Sequence, residues 1–186
     1  LPMFILIRVY GSTNRVAAST KFFLYTFTGS MMTLAGLMYV VYFVSQQTGH
    51  WTLDIATLTA IAPQMPASHQ AWVLFAMLAG FAVKVPLFPV HTWLPLAHTE
   101  APTAGSVGTY GILRFAIPIT PVAFIEYAPF IATLSVIGII YAGLICWVQE
   151  DIKKLVAYSS VSHLGFCVLG LAALNVSGLS GSVLYM

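Results

Sequence analysis

Ala71-Trp72-Val73-Leu74-Phe75-Ala76-Met77-Leu78-Ala79-Gly80-Phe81-Ala82-Val83-Lys84-Val85-Pro86-Leu87-Phe88-Pro89-Val90-His91 is the stretch whose reading decides the fold. It has the length of a membrane-crossing helix, which needs roughly 20 mostly apolar residues. About thirteen residues precede Lys84, placing it roughly 20 Å along the helix at about 1.5 Å each. A lysine at that depth costs about 3 kcal/mol or more unless it faces protein or water. Desolvation disfavours an ammonium relative to the neutral amine, so such a side chain becomes a site of proton exchange. The competing reading lets Lys84 snorkel to the interface. Pro86 and Pro89 follow, and neither has an N–H, so the carbonyls of Ala82 and Val85 lose their helical donors. In lipid this is tolerated only where water or polar groups satisfy the freed backbone, as in the discontinuous helices of transporters. A plain helix end with an interfacial His91 is the alternative. The stretch predicts a proline-broken helix near residues 84–91.

The rest of the chain agrees on the solvent. Of 186 residues 59% are hydrophobic and 6% charged, against about 25% charged in ordinary soluble domains; mean hydropathy is +0.91. With 7 basic and 5 acidic side chains, a water-facing surface cannot be covered. A net charge of +2 without a basic run excludes nucleic acid as partner and leaves the lipid bilayer. Phe22 to Ser45, Pro129 to Val148 and Leu155 to Leu174 are further runs of spanning length beside Ala71 to Val90. Thr103 to Thr120 is a weaker fifth, carrying three glycines, Arg114 and Pro118. Barrel strands would be short and alternating, so the expected fold class is all-α. It is a polytopic transmembrane helical bundle of about five spans plus a partial one. Leu1 to Ile7 reads as the tail of an earlier span and Gly178 to Met186 as the start of a later one. Residues 1–186 therefore read as a single domain, incomplete at both ends.

Basic residues test the count. Arg8, Arg15 and Lys21 precede the Phe22 run, whereas Lys153 and Lys154 lie between the last two full runs. The two groups face one compartment only if Thr103 to Thr120 also crosses. The positive-inside rule favours that arrangement and makes their side cytoplasmic or matrix.

Three histidines and a few charges are the remaining candidates. His91 and His98 frame a segment ending in Glu100, where imidazoles that titrate near neutral pH can relay protons. An interfacial belt with Trp93 is the other reading. A metal site is disfavoured, because the spacing is not HExxH and Pro95 disrupts a shared helical face. In the last full run Tyr158, Ser159, Ser162 and His163 fall on one face. His163 is about 13 Å beyond Lys154, suited to a proton path or to interhelical packing. Cys146 and Cys167 sit in apolar runs and read as small core residues. No Walker sequence, GxGxxG after a strand, cysteine ligand set or CxxCH is present.

Two long motifs carry a resemblance. Lys84-Val85-Pro86-Leu87-Phe88-Pro89-Val90-His91-Thr92-Trp93-Leu94-Pro95-Leu96-Ala97-His98-Thr99-Glu100-Ala101-Pro102-Thr103-Ala104-Gly105-Ser106-Val107 is the first. Val148-Gln149-Glu150-Asp151-Ile152-Lys153-Lys154-Leu155-Val156-Ala157-Tyr158-Ser159-Ser160-Val161-Ser162-His163-Leu164-Gly165-Phe166 is the second. Both resemble the antiporter-like membrane subunits of proton-pumping NADH:quinone oxidoreductase, respiratory complex I, along essentially the whole chain. Lys21-Phe22-Phe23-Leu24-Tyr25-Thr26 with Gly29-Ser30 fits the subunit 4/M branch best. A cation/proton antiporter or a membrane-bound hydrogenase subunit of the same superfamily is the alternative, and an inert gene fragment a third reading.

The resemblance implies a translocase subunit in a bacterial or mitochondrial inner membrane, partnered by the other membrane subunits of the complex. Lys84, His91, His98 and His163 match the family's proton-pathway positions, and Pro86 and Pro89 its helix break. Glu100, Glu150, Asp151, Lys153 and Lys154 are candidates for loop coupling. No cofactor is expected on this chain; NADH, FMN, iron–sulfur clusters and quinone belong to the whole complex. Three departures stand out. The glutamate that usually partners the Lys84 position would precede Leu1. About ten residues with a second membrane lysine are expected between Val107 and Gly108 and are absent. Leu96 stands where many relatives carry an aspartate.

Overall fold

A computed structural model of the chain describes residues 2–10, 15–93 and 106–186. Every regular element among them is helical. The order is α1 (Pro2–Tyr10), α2 (Arg15–Thr48), α3 (Ile55–Ile61), a 3₁₀ turn (Ala62–Gln64), α4 (Ala67–Lys84), α5 (Ser106–Gly111), a π-helical turn (Ile112–Ala116), α6 (Ile117–Ile119), α7 (Pro121–Trp147), α8 (Ile152–Ala172) and α9 (Val176–Tyr185). Three helices, α2, α7 and α8, are long and apolar enough to cross a membrane.

Several boundaries differ from the sequence reading, each for a local reason. The run from Phe22 extends back to Arg15 and on to Thr48, and Thr48 closes it by donating to the Val44 carbonyl at 3.0 Å. The run taken to start at Pro129 starts at Pro121, which occupies the first helical turn where a missing N–H is harmless. Pro129 lies inside that helix, its own carbonyl accepting from Thr133 Oγ1 at 2.7 Å. The run from Leu155 begins at Ile152 because Asp151 caps it, accepting the Lys153 N–H at 2.9 Å. The weak fifth run is not one regular helix. Pro118 cannot donate, and the turn before it widens, with the Ile117 N–H bonded to the Ile112 carbonyl. The short α3, which the sequence reading missed, is capped by Asp54 through the Thr57 N–H at 2.9 Å. The Thr57 hydroxyl and amide hold that exposed carboxyl below its usual range.

Contacts fix the directions. Gly29 of α2 faces Gly80 of α4 and Gly36 faces Ala76, so these two helices run antiparallel. Gly111 of α5 backs on Phe81 and Gly108 on Val85, so this segment runs back along α4. Gln70, near the start of α4, is buried and fully bonded. Its amide donates to the Pro63 and Met65 carbonyls at 2.9 and 3.0 Å, and its oxygen accepts the Val122 N–H at 3.2 Å. One side chain thus joins the α3–α4 connection to the first turn of α7, whose leading N–H groups have no intrahelical acceptor. Phe75 and Tyr127 meet at 4.8 Å a few residues further along both helices, so α4 and α7 run parallel. Helix α8 returns antiparallel to α7, with Ser162 Oγ on the Ile139 carbonyl at 3.2 Å. Because α5 and α6 return along α4, Arg8, Arg15, Lys21, Lys153 and Lys154 all lie at one end of the bundle, as the charge argument required.

The closest helix crossing is at Gly29 and Gly80. A methyl group built on Gly80 would strike Thr33 Oγ1 and the Gly29 carbonyl oxygen. The obstacle includes backbone, which cannot swing aside, and small residues at such crossings let helices pack in lipid where no hydrophobic force draws them together. Gly→Ala inside a helix ordinarily gains up to about 1 kcal/mol of propensity. We expect the reverse for Gly80→Ala, a loss of about 1–3 kcal/mol from overpacking. Thermal or denaturant unfolding of the complete subunit in detergent checks this; equal or higher stability would rule the crossing out as a tight contact.

Candidate functional site

The break after α4 organises the site. Lys84 is the last residue of α4 and Val85 its C-cap. Pro86 has no N–H for the Ala82 carbonyl, and Leu87 takes over that role, donating to Ala82 at 2.9 Å. In a regular helix the Leu87 N–H would serve Val83. The Val83 carbonyl is instead bonded by the indole Nε1 of Trp93 at 3.0 Å, in a buried contact. The requirement that freed carbonyls be satisfied is therefore met from within the chain at Ala82 and Val83. Trp93 is 4% exposed, so its role as an interfacial belt residue is overturned: the ring is spent as a donor inside the protein.

The depth of the break separates a mid-membrane interruption from a helix end. Gly138 of α7 faces the backbone of Phe88, where an added Cβ would lie 3.9 Å from the Phe88 nitrogen. Nine residues separate Gly138 from the end of α7 at Trp147, about 13 Å of rise. With a hydrocarbon core about 30 Å thick, the turn at residues 85–93 lies well inside. Val83 and Trp93 pack there with Ala142 of α7 and Val161 of α8, flanked by Phe22 and Tyr25 of α2. The break ends α4 at 18 residues, earlier than the expected Val90.

Lys84 is half-buried. Gly108 lies against it: a Cβ there would come 3.1 Å from the Lys84 Cβ and 3.0 Å from the Val85 nitrogen. Only a residue without a side chain lets α5 cross the break this closely. His91 is buried, 4% exposed, and its Nδ1 has no hydrogen-bond partner among the described residues. Pro86 and Pro89 bracket the turn between them. On the α2 side of the break an apolar crevice of about 480 Å³ is lined by Tyr25, Met32, Ala82, Val83, Phe88 and Leu134. One polar contact reaches the turn from this side, between the Tyr25 and Thr92 hydroxyls at 3.3 Å.

His98 and Glu100 lie outside the described residues. His163 is on α8 but exposed, its ring 5.7 Å from Tyr185 of α9. Ser162 is buried and faces α7, and Ser159 bonds the Val156 carbonyl of its own helix at 2.8 Å. The single polar face read from Tyr158 to His163 divides, because it spans about 140° of helix and its two edges meet different neighbours. The structure brings Lys84 and His91 together on one broken segment and sets His163 on a different side. Asp151 is the N-cap of α8, and Glu150, Lys153 and Lys154 are exposed around it. No group of three or more metal-ligating side chains occurs among the described residues. Sequence reasoning missed Tyr141 of α7 and Gln70. Gln70 carried a signal, an uncharged polar residue just inside an apolar run; Tyr141 carried none.

The architecture is a transmembrane helical bundle in which one helix is interrupted at depth, with a lysine on one side of the gap and a buried histidine on the other. The chain belongs to the family described as NADH:quinone oxidoreductase/Mrp antiporter, TM, whose model matches residues 1–186. It is an integral membrane protein. It is 47% identical to NADH-ubiquinone oxidoreductase chain 4 of Chondrus crispus and 39% identical to NADH-quinone oxidoreductase subunit M of Rickettsia typhi. Each match covers 100% of this chain and 38% of the relative's length. Among solved structures it is similar to respiratory complex I from Thermus thermophilus with bound NADH, at TM-score 0.85 and 29% identity, covering 98% of this chain and 40% of that one. The Mrp complex from a Dietzia species shares the fold at TM-score 0.80 and 19% identity, covering 98% of this chain and 20% of that one.

The Trp93 donor is open to test. Trp93→Phe keeps an aromatic ring and leaves the Val83 carbonyl without its partner, a loss of about 1–3 kcal/mol for a buried acceptor. We expect lower stability of the complete subunit by that amount, read from denaturant unfolding in detergent. No change would mean that the carbonyl finds another donor and that the indole is not what closes the break.

Proposed function

We propose that this chain is the part of a proton-translocating membrane subunit of NADH:quinone oxidoreductase that holds one broken-helix proton site. The observation that carries the reading is Lys84 at the mouth of a helix break well inside the bilayer, with buried His91 across the turn. The subunit names of the relatives and the likeness to a complex I structure support the assignment to that complex. In this reading the chain works in a bacterial or mitochondrial inner membrane among the other membrane subunits. NADH oxidation, FMN, iron–sulfur clusters and quinone reduction sit elsewhere in the complex. Protonation at one site shifts its neighbours electrostatically, and distant redox chemistry drives the sequence. The exposed charges at Glu150, Lys153 and Lys154, with Asp151 capping α8, form the end through which a neighbouring subunit would couple.

The proposal includes the expected gap after Val107. The match to the Chondrus crispus relative runs over 196 residues against 186 in this chain, which supports a deletion of about the expected size. A chain lacking that lysine relies on Lys84 and His91. The antiporter reading is supported by the family description, which also names the Mrp antiporter, and by the shared fold.

Lys84→Ala, introduced into the complete subunit and assembled complex, tests the assignment. Proton uptake driven by NADH should fall by roughly 100-fold, the scale of losing a proton-transfer group. NADH oxidation by an artificial acceptor should persist. Normal acidification with Lys84→Ala would reject the assignment.

A further inference from the structure

The side chain facing His91 from α7 is not part of either long motif. Phe88, in the turn after the break, stacks on the imidazole with ring centroids 5.7 Å apart and planes inclined 24°. Tyr141 meets both rings edge-on. It is 5.3 Å from His91 at 75° and 5.5 Å from Phe88 at 64°. These separations and angles are those at which aromatic rings attract through their quadrupoles. The arrangement is anchored on both sides of Tyr141. One turn earlier Gly138 faces the Phe88 backbone, and the next residue, Ala142, packs into the Val83, Trp93 and Val161 cluster.

A buried imidazole is ordinarily oriented by a hydrogen bond to one ring nitrogen, which also selects its tautomer. His91 lacks that at Nδ1: the atom is buried and has no partner among the described residues. Buried polar atoms without partners call for an explanation. We propose that Tyr141 is the positioning residue of His91. With Phe88 it clamps the imidazole by ring contact alone and keeps Nδ1 uncommitted, available to a water molecule that carries the proton. Hydrogen bonding Nδ1 to a fixed carbonyl or carboxylate would orient the ring equally well but would occupy the atom. An aromatic clamp orients without occupying. The inference deepens the proton-translocation reading and rests on it.

The test uses the complete subunit in the assembled complex and reads protons pumped per NADH oxidised. Tyr141→Phe keeps the ring and removes the hydroxyl; we expect a ratio within about twofold of the unmodified complex. Tyr141→Leu and Phe88→Leu each remove one jaw of the clamp, and each should lower the ratio by roughly tenfold, the scale of misplacing a transfer group. NADH oxidation by an artificial acceptor should be unchanged. Normal pumping with Tyr141→Leu would overturn the clamp. So would an equal loss with Tyr141→Phe, which would assign the effect to the hydroxyl. If Tyr141→Leu does not assemble, Phe88→Leu against Tyr141→Phe decides the same point. Lys84→Ala in the same membranes separates the two readings: its loss of pumping beside normal Tyr141→Leu sinks the clamp alone, and its normal pumping sinks the translocation reading itself.

Discussion

Inside a bilayer every backbone polar group must find its partner within the protein or a water-lined cavity, and the turn after α4 strains that rule. Pro86 removes a donor at depth. The chain answers by shifting the Leu87 N–H back to the Ala82 carbonyl and closing the next carbonyl, Val83, with the indole of Trp93. The turn that brings Trp93 back toward Val83 also carries Phe88 and His91 against α7. Position and orientation of the histidine therefore follow from how the break is repaired. Lys84, the last residue before the gap, is half-buried, with its Cβ beside Gly108.

The same economy governs the helix contacts. In lipid, helices gain little from hiding apolar surface, so close van der Waals approach has to hold them. Gly29, Gly80, Gly108 and Gly138 mark where backbones come near, and three of them converge on the region around Lys84 and Phe88. Gln70 performs the complementary task at the other end, where a loop, a helix start and a connection meet and three backbone groups need one side chain.

Much of the fold was legible because its signals are local or compositional. Apolar run length, the near absence of charge and two prolines after Lys84 predict a broken-helix membrane bundle without any knowledge of contacts. The antiparallel return of α5 and α6 was also readable, through the balance of Arg8, Arg15 and Lys21 against Lys153 and Lys154. Errors arose where one residue type has two uses. Pro129 sits inside a helix whereas Pro121 starts it, and both look alike to a reading of single residues. His163 appeared on one face with Ser162, but the two residues are about 100° apart on the helix, enough for one to face α7 and the other to meet Tyr185.

The sequence by itself determined the solvent, the class of fold, the place of the break and the two polar residues, Lys84 and His91, that flank it. These follow from transfer free energies and from what proline cannot do. Tertiary structure alone decided that the break lies at depth, that Trp93 repairs it, and that Tyr141 faces His91. Each of those depends on which residue of a distant helix arrives at the same level. That register is set by packing among α2, α4, α7 and α8, and no local pattern of residues encodes it.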